Sequence, residues 1–371
     1  MNGRSAPGEP PVLLYKRNAR EAADRLRMLW ARRGQDRIFA HIEVPSRVLM
    51  EFAATHTDGP TDYPDPCERI RFWDAFLAES RDVEDDWLPI AYLSEFDQGI
   101  VAGALGAPMR FMMHKDIGWV SSMCAPMLDS MDDADLLRPN PDGEPIKLLD
   151  EQCRVFAEAA SGRFGIASFI VIDAMNFVAE MRGMTRAFED VIDHPEAVSR
   201  LMDLAFDLNV FLQERVRSSV AGFMDGSFVN MGSWAPGTPV LFSVDFYHMA
   251  RPDFYYRWGE PHLQRLLGHF GGGLLHLHSN GRHLLKHVAE LRHLVCIDLV
   301  DEDWNPRAYE ELGARQREAG DTPLMVRCRR EEFERDLDGG RLPGNVLYHV
   351  HNVSSVDQAN RLMDKVGRYR R

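Results

Sequence analysis

Two histidines stand two residues apart in the run Gly273-Leu274-Leu275-His276-Leu277-His278, and Tyr348-His349-Val350-His351 repeats the arrangement near the end of the sequence. In an extended strand a spacing of two turns both side chains to one face. Neutral imidazoles held that way can converge on one divalent ion. The expected metal ligands are therefore His276, His278 and His351, with His349 as the alternative third ligand because it shares the face of His351. The competing reading is a pair of hydrogen-bonded histidines beside a loop. Three His ligands would leave a coordination position for water or substrate, which is a catalytic pattern. The ion would be Zn²⁺ or another divalent transition metal, about one per chain. Cys296 and Cys328 fall inside or just past apolar runs and are weaker ligands.

Carboxylates close other apolar runs: Glu43 in His41-Ile42-Glu43, Asp173 after Ile170, Asp245 in Phe242-Ser243-Val244-Asp245, and Asp298 in Cys296-Ile297-Asp298, with Asp301 following. The C-terminal ends of strands are where an α/β barrel keeps its catalytic groups. Asp245 or Glu43 would orient a metal-activated thiol or water, or move its proton. Arg327, Arg329 and Arg330 read as a solvated face, with a clamp for a carboxylate or phosphate as the alternative. Tyr255, Tyr256 and Trp258 read as core. The acidic runs at 82–86 and 129–135 read as exposed loops or helix starts, and they lack the spacing of a calcium loop.

Positioning these groups requires strands. Strand-like runs occur at 37–44, 109–114, 165–172, 223–231, 273–278, 294–300, 322–328 and 345–351, and in the second half they alternate with amphipathic helical stretches. Eight such units predict an α/β fold, a closed (β/α)₈ TIM barrel over residues 37–371 behind a helical N-terminal extension at 1–36. His276, His278, Asp298 and His351 should then open on one mouth. An open doubly wound sheet is the competitor, although the first strand is not followed by G-x-G-x-x-G. Pro252 suits a helix start and Gly271 a left-handed helix end, while Ser354 or Ser355 can cap the last helix.

The sequence has 371 residues, and 43 basic against 57 acidic residues give a net charge of −14, which disfavours a nucleic-acid partner. With 45% apolar and 27% charged residues it has the composition of an ordinary globular protein. No apolar run approaches the roughly 18–20 residues that cross a bilayer, and residues 1–11 are polar and proline-rich, so a cytoplasmic location without membrane contact is expected. Five widely spaced cysteines exclude a disulfide framework and read as small buried hydrophobes. A homodimer stays open.

The segment Asp97-Gln98-Gly99-Ile100-Val101-Ala102-Gly103-Ala104-Leu105-Gly106, the stretch 175–195 with Arg182-Gly183 and Asp190, the run His276-Leu277-His278-Ser279-Asn280-Gly281, and residues 347–353 together resemble the uroporphyrinogen decarboxylase superfamily. That superfamily includes zinc-dependent methyltransferases that exchange methyl groups between corrinoids and thiols. The resemblance is diffuse and covers roughly residues 80 to 371. It implies a metal-dependent enzyme that transfers methyl groups, with a corrinoid or a thiol as substrate and a corrinoid protein as a partner. The alternative that it implies is decarboxylation of a tetrapyrrole-like carboxylate, with Asp97 stabilising a ring cation and no metal. A third reading is a non-catalytic corrinoid-binding subunit, against which the crowd of ionisable strand ends argues. Asn176, Phe177, Arg327 and Asp298 would contact substrate. The decarboxylase's N-terminal arginine run is missing near 38–47, and Phe177 stands at its tyrosine position, so uroporphyrinogen itself is not an expected substrate. His278 and His351 stand where the methyltransferases carry cysteine ligands.

Overall fold

The computed structural model describes residues 12–371; residues 1–11, and the expectation placed on them, lie outside it. The central element is a six-stranded parallel sheet. In chain order its strands are β1 (Ile38–Ile42), β9 (Val240–Ser243), β10 (Gly273–Leu277), β11 (Leu294–Leu299), β12 (Leu324–Arg329) and β13 (Val346–His351), arranged β1-β13-β12-β11-β10-β9. Each is a short apolar run between helices, as buried parallel strands require. The intervening numbers belong to β2 (Gly59–Thr61), β3 (Ile90–Tyr92), β4 (Met109–His114), β5 (Trp119–Cys124), β6 (Gly165–Ala167), β7 (Gly226–Val229) and β8 (Ser233–Pro236). β3 and β6 form a parallel pair of their own.

Two further connections run between this pair and the sheet. After β6, the Val171 backbone N–H donates to Leu241 O at 2.8 Å, beside a parallel bridge to Phe242 of β9. Before β3, the Asp86 N–H donates to Ala40 O of β1 at 2.9 Å. The carboxylates of Asp86 and Asp85 accept from Ala40 N at 3.0 Å and Ile42 N at 2.7 Å, taking the place of ladder bonds along β1.

Three expectations change. Residues 109–114 are a strand, but β4 pairs antiparallel with β2 and β5 outside the main sheet, and Phe111, Met113 and Val120 there make a small separate core. An apolar run gives no sign of its partner's direction, which is why it reads like a barrel strand. Residues 223–231 likewise hold β7, which folds back on β8 as a hairpin. Two strands escape a reading of the sequence: β9 at the edge of the main sheet and β3 beside β6, of four and three residues, too short for any periodicity and announced only by Pro239 and Pro89. The acidic run at 82–86 is not wholly exposed either, since Asp85 and Asp86 are buried against Lys16 and Arg25.

Helix α1 (Ala19–Trp30) crosses the N-terminal ends of the strands, where Arg25 donates to Ile38 O at 2.9 Å and the Trp30 indole to Trp234 O at 2.8 Å. Helices α2 (Arg47–Thr55) and α3 (Pro66–Glu79) follow β1. The expected ends hold: Gly271 has φ 73° after the helix Glu260–Phe270, and Ser355 caps Val356–Arg368. Tyr255 and Trp258 are core, and the cysteines are unpaired, four of them buried and Cys67 exposed. Among the described residues no helix is long and apolar enough to cross a membrane.

Candidate functional site

Parallel register places one polar residue per strand at nearly the same height. His276 of β10 lies opposite Ser243 of β9 and Asp298 of β11, and on the other side Arg327 of β12 and His41 of β1 both lie opposite His349 of β13. The result is a continuous polar belt across adjacent strands. His41 Nδ1 is 2.8 Å from His349 Nε2. Arg327 donates to Asp298 at 2.9 and 3.2 Å. His276 Nδ1 stands 3.4 Å from Asp298 Oδ2, and His276 Nε2 is 3.2 Å from His278 Nε2. His278 Nδ1 ends the belt 2.5 Å from Glu302 Oε1.

Both carboxylates that hold these imidazoles are ionised. Burial would raise the Asp298 carboxyl, but Arg327 and then His276 outweigh it and hold it below the usual carboxylate range. For Glu302 burial is likewise outweighed, by Ser279 and His278. An ionised carboxylate only accepts, so the Nδ1 of each histidine carries the proton. The two Nε2 lone pairs then face each other, an arrangement that repels unless a shared proton or a metal ion lies between them. The 3.2 Å separation matches the edge of a zinc tetrahedron, about 3.3 Å for Zn–N bonds of about 2.0–2.1 Å. Carboxylates behind both imidazoles are the usual support for histidine metal ligands.

Asp245 adds a third oxygen. Its Oδ1 is 3.9 Å from His278 Nε2 and 3.9 Å from His248 Nε2. Among the described residues Asp245 Oδ1 and His248 Nε2 are buried without a hydrogen-bond partner, so donor atoms beside the histidine pair are left uncommitted. Burial holds the His248 imidazole neutral, well below its ordinary range.

The other expected residues are distributed as follows. Asp298 and Arg327 belong to the belt, where half-buried Arg327 is ion-paired to buried Asp298. His351 is half-buried at the end of β13 and does not join the histidine pair. Among the described residues, one set of three His, Cys, Asp or Glu side chains brings a ligand atom from each within 4.8 Å of the others. It is His41, Glu43 and His349, at the opposite end of the belt from His276 and His278. Asp97 lies apart, accepting from the Tyr92 hydroxyl and, at 3.1 Å, from Ile170 N; burial pushes its carboxyl up to about 7. Asn176 sits in the first turn of the helix Ala174–Arg182, whose cap Asp173 accepts from Asn176 N at 2.8 Å and is pushed by burial up to about 8. Phe177 in the same helix is fully buried in the core and presents no surface to a substrate.

A cavity of about 660 Å³ opens beside β1 and β3, between α2 and α3, lined among others by His41, Glu43, Trp87, Tyr92, Trp119 and Asn230. Sequence reasoning passed over Glu302 and His248, whose only signal is proximity to the strand ends that it did select. No protein-family model matches this sequence, and a search of curated proteins finds no match.

Proposed function

We propose that this chain is a metal-dependent enzyme of the uroporphyrinogen decarboxylase superfamily, built as a closed eight-stranded barrel, that transfers a methyl group between a corrinoid and a thiol. In this reading the Val171–Leu241 and Asp86–Ala40 connections close the ring through β6 and β3. The observation that carries the proposal is the facing pair of Nε2 atoms on His276 and His278, each imidazole backed by an ionised carboxylate. These two residues would hold the ion, with Asp245 as third ligand after a rotation of its side chain toward His276. A bound Zn²⁺ or similar ion would supply Lewis acidity, which lowers the pKa of a thiol or water near it. Asp298 and Glu302 fix the ring orientations, Arg327 keeps Asp298 ionised, and the partly exposed His278 leaves the centre open to substrate. Neutral histidine ligands leave the ion more Lewis acidic than thiolates would.

The test is metal content. After loading with Zn²⁺ and gel filtration, the His276→Ala/His278→Ala variant should carry one equivalent per chain less than wild type, and thiol-dependent demethylation of methylcobalamin should vanish with it. Unchanged metal content in the variant would sink the metal assignment, and absence of demethylation by the loaded wild type would sink the reaction class. A second reading, a carboxy-lyase, is favoured by one observation: Asp97 is held near 7, where a carboxyl can give a proton at neutral pH. Metal-independent CO₂ release that is lost in Asp97→Asn would select it.

A further inference from the structure

The centre at His276 and His278 uses one end of the polar belt. We propose that His41, Glu43 and His349, at the other end, form a separate site for a divalent transition-metal ion of the zinc class, facing the 660 Å³ cavity.

Backbone register makes the arrangement. His41 and His349 are direct partners on the adjacent parallel strands β1 and β13, and Glu43 follows the last residue of β1, two positions beyond His41, with its N–H donating to Val350 O at 3.0 Å. Neither histidine ring is free to turn away. Trp87 stacks on His41 with centroids 4.3 Å apart and planes 10° from parallel, and its ring meets His349 edge-on at 4.9 Å. The two imidazole nitrogens are 2.8 Å apart, so holding an ion requires them to part by only about 0.5 Å, to the roughly 3.3 Å edge of a zinc tetrahedron. Glu43 is exposed, so bringing its carboxylate in from within 4.8 Å requires a side-chain rotation and no backbone movement.

The charges suit a cation. Two imidazoles and one carboxylate offer the N₂O donor set of catalytic zinc sites, with positions left for water or ligand. The surrounding charges are committed elsewhere: Arg327 to Asp298, and Lys16 to Asp85. Trp87, Trp119 and Tyr92 line the same cavity as His41 and Glu43, so it would present an apolar ligand's polar end to the ion. A hydrogen bond between the two imidazoles explains their contact without an ion; a bound ion would take the place of that shared proton and draw the Glu43 carboxylate in from solvent.

The inference stands independently of the centre at His276 and His278, because it can be tested with that centre removed. In the full-length His276→Ala/His278→Ala background, calorimetric titration with Zn²⁺ should show one site, and Co²⁺ should give visible d–d absorption. Adding Glu43→Gln should weaken binding at least about tenfold, and adding His349→Ala should abolish the Co²⁺ spectrum. Glu43 is exposed, so its substitution leaves folding intact, and circular dichroism checks the His349 variant. No Zn²⁺ binding in the background variant at micromolar metal, or unchanged affinity with Glu43→Gln, would overturn the proposal.

Discussion

Asp298 carries two demands at once, accepting a bidentate bond from Arg327 and standing within reach of His276 Nδ1. Asp298→Ala should destabilise the fold by about 3 kcal/mol in urea unfolding, because Arg327 is left without its counter-ion. It should also loosen the metal, whereas Asp298→Asn should spare more stability than metal affinity. Asp97 and Asp173 give a pH dependence of opposite cause. Burial raises them to about 7 and about 8, so between about pH 4 and those values the folded state binds protons that the unfolded state has lost. Their contribution is present below about pH 4 and is lost as pH rises through 7 and 8. Asp97→Asn and Asp173→Asn cannot ionise and should each be more stable than wild type at pH 9, by about 2 kcal/mol. Thermal melts across pH 5–9 that run parallel to wild type would refute this.

The element that brings the histidine pair together is the end of β10 and the turn after it. An alanine Cβ at Gly281 would lie 2.3 Å from the His248 ring, so only glycine lets that ring stand beside Asp245 and His278. Gly281→Ala should cost about 1–3 kcal/mol and reduce bound metal, measured by unfolding and elemental analysis on the same preparation. This scale is also where the sequence was most legible. Strands β1, β10, β11, β12 and β13 are bounded apolar runs whose ends carry His, Asp or Arg, and their periodicity names the residues that face one way. It does not say which ends come near one another. His351 has the same spacing signal as His349, yet register sets His349 against His41. Glu302 reaches His278 from a loop with no regular pattern, so only the folded chain places it.

At the scale of the whole molecule, the N-terminal segment ties the strands together through charge. Arg25 is paired with buried Asp86, and Lys16 is paired with buried Asp85 at 2.5 Å, while the same carboxylates bond the backbone of β1. Asp86→Ala removes an ion pair and a ladder substitute together, and should cost about 3–5 kcal/mol. At about 2.1 cal/mol/K per residue that lowers Tm by about 4–6 °C, readable by calorimetry. The α/β class of the fold followed from alternation of strands and helices, but two of the eight expected strands lie outside the six-stranded sheet. β4 and β7 look like sheet strands and are hairpin strands, while β3 and β9 are too short to see. Local pattern sets what a segment becomes, whereas long-range pairing sets what it lies beside.

The pairing of β1 with β13 joins residues 308 positions apart, and the contact between His41 and His349 depends on it. During synthesis at about 5–20 residues per second, His41 waits roughly 15–60 s before His349 has been made. For that interval β1 presents Ile38, Phe39 and Ile42 with one edge unfilled, a surface that invites the wrong strand. The order of birth therefore makes the last strand a gatekeeper: ribosome-bound chains ending before Val346 should be captured by chaperones, and release of the complete chain should end that capture.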